Sequence, residues 1–152
     1  MKLLITGHRL HKLELYNKEW IKAALFSTLA DISEHNKIIG YSGMASGCDL
    51  WFCKYCLDLS IPYYACVPFE GQEETMDEES RRHREFLLKS AAKTHYVKNS
   101  KMVEWADAGI VIFDGNKGGT HNVFQQLVEK NKPFWWINPV GEKVWELSLI
   151  HI

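Results

Sequence analysis

The residues best suited to chemistry lie in Asp114-Gly115-Asn116-Lys117-Gly118-Gly119-Thr120. Glycines bring backbone close to a ligand, Lys117 offers positive charge and Thr120 a hydroxyl. The apolar run before this turn, Ala108 to Phe113, reads as a buried strand; Thr120 to Lys130 reads as a helix. A helix that opens on a glycine turn points its first N–H groups outward, unpaired, and such a place holds phosphate. Asp114 either touches the ligand or caps the turn that ends its strand.

Other strand ends carry similar groups. Thr6-Gly7-His8-Arg9 offers a turn glycine, an imidazole and a guanidinium that can grip an anion with two parallel bonds. In Ser42-Gly43-Met44-Ala45-Ser46-Gly47-Cys48-Asp49, Gly43 and Gly47 permit close backbone approach. Asp49 is suited to ribose hydroxyls or, equally, to the first turn of its own helix. Pro68-Phe69-Glu70-Gly71-Gln72 adds a ring that stacks on a base or fills core, together with Glu70 and Gln72. His8, Asp49 and Glu70 are the acid–base candidates for catalysis, and nothing in the sequence sets their separation.

These residues need a frame, and strand and helix patterns alternate throughout. Strands are expected at Lys2 to Thr6, Lys37 to Ser42, Tyr63 to Val67, Thr94 to Val97, Gly109 to Phe113 and Pro133 to Asn138. Helices are expected at Leu15 to Glu34, Cys48 to Leu59, Asp77 to Ser90, Ser100 to Ala106 and Thr120 to Lys130. The pattern predicts an α/β fold, a mostly parallel sheet with helices on both faces. Ligands then bind beyond the carboxyl ends of the strands, near the switch in strand order. The 152 residues fit one domain, with a core over 1–139 and a C-terminal tail over 140–152. Trp135, Trp136 and the tail residues Trp145, Leu147, Leu149 and Ile150 either pack in the core or form a dimer interface.

Several function classes are disfavoured. A formal net charge of −1 lacks the basic excess of a general nucleic-acid binder. No run is long enough for a membrane span, and the short apolar start reads as a first strand, so a cytoplasmic location is expected. The four cysteines include Cys53-x-x-Cys56, but their apolar helical surroundings argue packing, and no metal is expected. The chain has no Gly-x-Gly-x-x-Gly, no Gly-Lys-Ser/Thr and no Gly-x-Ser-x-Gly, which argues against hydride transfer, ATP hydrolysis and serine hydrolase chemistry.

The four strand-end motifs, in this order, resemble the YpsA-like branch of the SLOG superfamily, from about Met1 to Pro139. That superfamily includes the Lonely Guy phosphoribohydrolases, DprA and sensor domains of bacterial defence; members of this branch occur in bacteria and phages. The resemblance implies a doubly wound Rossmann-like fold, a pocket for nucleotides or their derivatives, and a homodimer. It adds Asn99, in Lys98-Asn99-Ser100-Lys101-Met102-Val103, as a pocket candidate. It also implies a departure. The Lonely Guy motif places a catalytic glutamate three residues after its Gly-Thr, where this chain has Val123. The expected function is therefore binding of a small nucleotide-derived signal, ADP-ribose-like or cyclic, by a sensor or sequestering protein that needs no cofactor. A hydrolase cleaving such a ligand is the alternative, and DprA-like nucleic-acid binding comes third.

Overall fold

Alternation along the central strands builds the protein. In the computed structural model, which describes residues 1–147, Leu3 and Ile5 of β1 (Lys2–Gly7) enter one apolar layer and Leu4 the other. In β5 (Ala108–Ile112), Ile110 and Ile112 join the first layer and Val111 the second. Both faces are covered, which is why these strands read as unbroken apolar runs. Helices α2 (Lys18–His35), α3 (Cys48–Asp58) and α4 (Glu78–Ser90) close the first layer with Ile21, Leu25, Leu29, Phe52, Cys56 and Leu87. Helices α5 (Asn99–Trp105) and α6 (Gly119–Glu129) close the second with Met102, Val103, Val123 and Leu127. Each fully buried aliphatic side chain contributes roughly 1.5–3 kcal/mol.

The remaining strands are β2 (Ile39–Ser42), β3 (Tyr63–Cys66), β4 (Lys93–His95), β6 (Phe134–Asn138) and β7 (Lys143–Leu147). Seven strands form one sheet in the order β4-β3-β2-β1-β5-β6-β7. All neighbours pair in parallel except β6 and β7. Strand order runs outward from β1 to β4, then restarts on the other side with β5. This is a doubly wound, Rossmann-like α/β fold, with its switch point between β1 and β5.

The structure departs from the sequence expectation before and at the first long helix and in the tail. The helix expected from Leu15 starts at Lys18, because the Asn17 side chain caps it by accepting the Trp20 N–H at 3.1 Å. The residues before it form the short helix α1 (Leu10–Leu13). The expected tail contains β7, which turns back through Gly141 (φ 76°) and Glu142 (φ 52°) to pair with β6. Trp135 packs on the first layer; Trp136 packs in the second, its ring 5.0 Å from that of Trp145. The paired tryptophans thus serve both faces of one sheet, as strand alternation requires. Leu149 and Ile150 lie outside the described residues. Among the described residues, no helix is long and apolar enough to cross a membrane.

Candidate functional site

β5 delivers Phe113 and Asp114 to the switch point. The Trp136 indole N–H donates to the Phe113 carbonyl at 3.0 Å and fixes the strand's end. Asp114 then organises the turn. One carboxylate oxygen accepts the Asn116 N–H at 2.9 Å; the other accepts the Tyr16 hydroxyl at 2.8 Å and lies 3.6 Å from the Lys12 ammonium. Burial alone pushes this carboxyl up, but the Asn116 and Tyr16 hydrogen bonds outweigh it and hold the group well below the usual carboxylate range. The Asp114 N–H donates to His8 Nε2 at 3.1 Å. Nε2 therefore presents a lone pair, and the neutral ring carries its proton on Nδ1. Burial, then the charge of Lys12, lowers the pKa of His8 against the pull of Asp114.

Beyond Asp114 the turn passes through Gly115 (φ 89°) and enters α6 at Gly119. No side chain caps this helix, and no acid stands in its first turn. A Cβ placed on Gly118 or Gly119 would meet nothing within 4 Å. Packing does not require a glycine at 119; its bare backbone leaves open the space above the helix end.

That space belongs to a cavity of about 360 Å³. Gly7, His8 and Arg9 line it from the end of β1, His11 and Lys12 from α1, and Asn116 to His121 from the turn and α6. Arg9, Lys12 and Lys117 bring positive charge, His11 and His121 add imidazole donors, and among the described residues no carboxylate residue lines the wall. A second chamber of about 140 Å³ adjoins it, sharing Arg9 and His11 and completed by Ala45, Ser46, Phe69, Gln72, Thr75 and Met76.

No protein-family model and no curated protein matches the chain. Among solved structures it is similar to TM1055, an X-ray structure from a structural genomics consortium, with a TM-score of 0.54 and 13% identity. The match covers 88% of this chain and 71% of that one. The likeness shows the fold alone.

Of the residues singled out in the sequence, Gly7, His8, Arg9, Lys117, Gly118, Gly119 and Thr120 line the larger cavity, and Phe69 and Gln72 the smaller. The others line neither, and all but Asn99 and exposed Glu70 brace the chain itself. Asp114 is the hub just described. Ser42 donates to the Asp49 carbonyl at 3.1 Å and accepts the Met44 N–H at 3.2 Å. Gly47 (φ 85°) faces the His8 carbonyl and Leu10 N–H, and a Cβ there would lie 2.8 Å from each. Its close approach is to the backbone of the β1–α1 loop. Gly43 lends its carbonyl to Gln72, and exposed Asn99 stands beside it, outside both chambers.

Of the acid–base candidates only His8 reaches a chamber. Glu70 is exposed and lines neither. Asp49 is buried, accepts the Ala45 N–H at 3.1 Å and braces its own loop. Val123 is 1% exposed and packs in the second apolar layer, so position 123 does not face the cavity.

The sequence reading missed His11, Lys12, Asn116 and His121 in the larger cavity, Ala45, Ser46, Thr75 and Met76 in the smaller, and also Tyr16, which anchors Asp114. His11 and Lys12 had a signal: they follow the first strand end by a few residues, as His121 follows Gly119-Thr120.

Burial pushes the Asp49 carboxyl up to about 7, against the Ala45 N–H and the charge of Arg9. In the unfolded chain it titrates near its ordinary value of about 4. Between these values the folded chain keeps a proton that the unfolded chain has lost, so this group makes stability fall as pH rises through that window. Asp49→Asn keeps an acceptor for Ala45. It is expected to exceed the parent in stability by about 1–3 kcal/mol above pH ~7, with the gap closing towards pH ~4. Urea titrations at the two ends check this; a gap independent of pH shows that Asp49 is not the titrating group.

Proposed function

We propose that the protein binds a small phosphorylated ligand, a nucleotide or nucleotide derivative, at the β1–β5 switch point, as a sensor or sequestering protein. One observation carries the reading: the uncapped end of α6 opens into a cavity with Arg9 and Lys117 on its wall, beside a Lys12 paired with Asp114, and among the described residues no carboxylate lines it. Such a wall favours an anion, and the helix end supplies N–H groups for its oxygens. The resemblance to the YpsA-like SLOG branch supports the same reading, and with it an ADP-ribose-like or cyclic nucleotide signal, a role in phage defence and a cytoplasmic homodimer. Placement of the carboxylates favours binding over turnover, since Asp49 and Glu70 line neither chamber.

The test is to denature the purified protein and identify the small molecules released by mass spectrometry. An intact phosphorylated compound is expected, with occupancy reduced about tenfold or more by Arg9→Ala or Lys117→Ala, the usual cost of losing a charged hydrogen bond. No release, and no binding of nucleotides, NAD-derived ligands or inorganic phosphate, would sink the proposal.

A further inference from the structure

The smaller chamber says how the rest of the ligand is recognised, given the phosphate reading of the larger one. Its apolar surface comes from Phe69, Met76 and Ala45, and the Phe69 ring is 49% exposed. Of its polar side chains, Arg9 and His11 are shared with the larger cavity, and Gln72, Thr75 and Ser46 bond within the chain. Gln72 donates from Nε2 to the Gly43 carbonyl at 2.9 Å, while its Oε1 accepts from buried Arg84 at 3.0 Å. A free carboxamide reads a base edge with two bonds; this one is held at both ends. Thr75 donates to the Gln72 carbonyl at 2.8 Å, and Ser46 accepts the Leu10 N–H at 3.4 Å. Arg9 and His11 belong to both chambers, so one molecule can lie across them.

We infer that the smaller chamber takes the ring of a nucleotide by stacking on Phe69 and accepts different bases with little discrimination. Every base has a π-face, so stacking tolerates any of them. Strong selection needs buried polar groups that a wrong ligand leaves unpaired. Here those of Gln72 are already paired within the chain.

Calorimetric titration with ribose 5-phosphate, AMP, GMP, CMP and UMP tests this. The four nucleotides are expected within about fivefold of one another and each roughly tenfold tighter than ribose 5-phosphate, as one stacked base allows. Phe69→Ala should remove that gain and leave ribose 5-phosphate binding unchanged, and Phe69→Trp should retain it. A preference for one base beyond about 100-fold, the range of hydrogen-bond readout, overturns the inference. So does ribose 5-phosphate binding as tightly as the nucleotides. If ribose 5-phosphate and inorganic phosphate both fail to bind, the phosphate reading falls and takes this inference with it.

Discussion

An aspartate in place of Gly119 is expected to lower affinity for phosphorylated ligands by about 100-fold or more while leaving the fold as stable as before, or slightly more so. The two effects have opposite signs for one reason. Gly119 is the first residue of α6, and a side chain there enters empty space. A carboxylate in the first turn interacts favourably with the helix end, by about 0.3–1 kcal/mol, and the change removes a flexible glycine from a helix. The same carboxylate occupies the place proposed for the anion and repels it. Gly119→Ala separates the parts: it fills space without charge and should weaken binding only about tenfold. Thermal unfolding and calorimetric titration of both variants, side by side, check the pair. A Gly119→Asp protein that binds as tightly as the parent would place the ligand elsewhere.

Gly47→Ala should do the reverse and damage the fold. The residue sits at φ 85°, where an L side chain is strained, and its new Cβ would lie 2.8 Å from the His8 carbonyl oxygen and the Leu10 nitrogen. Both are backbone atoms of the loop that joins β1 to α1, so no rotamer change relieves the clash. Strain of about 1 kcal/mol adds to an overpacking cost of about 1–3 kcal/mol. A loss of roughly 2–4 kcal/mol is expected, which for a domain of this size lowers Tm by about 5–15 °C. Binding should weaken as well, because the displaced loop carries Arg9 and leads into α1, which carries His11. Differential scanning calorimetry gives the answer; a Tm within 2 °C of the parent, inside the shift expected for about 1 kcal/mol, means that the two loops do not pack as described.

The sheet was legible in the sequence because its parallel strands are covered on both faces and stand out as short apolar runs, Leu3 to Ile5 and Ile110 to Phe113 among them. The turn over α6 was legible because glycines between a strand and a helix have a narrow range of uses. What each glycine serves was not. Gly47 and Gly119 look alike in the sequence, and only what a Cβ would meet separates them: backbone oxygen and nitrogen at one, nothing within 4 Å at the other. Asp114 stays open in the sequence between a ligand contact and a turn cap because its partner Tyr16 lies 98 residues away in the chain. Asp49 stays open between a ligand contact and its own helix because burial and a bond to Ala45 cannot be read from spacing. β7 reads as a tail because Lys143 to Leu147 shows no clear alternation of apolar and polar residues.

Position 119 has a consequence for how this chain is free to change. Nothing in the fold leans on it, so selection for folding is blind there, and a variant at this residue would fold, accumulate and resist proteolysis like its parent. On the proposed function, only the anion at the helix end constrains this position. Gly47 and Asp114 answer to the opposite pressure, since a change at either disturbs the loops themselves. On that reading the rim is divided between residues that serve the architecture and one that serves the ligand. Specificity at the end of α6 can drift, or be redesigned, without reopening the problem of folding.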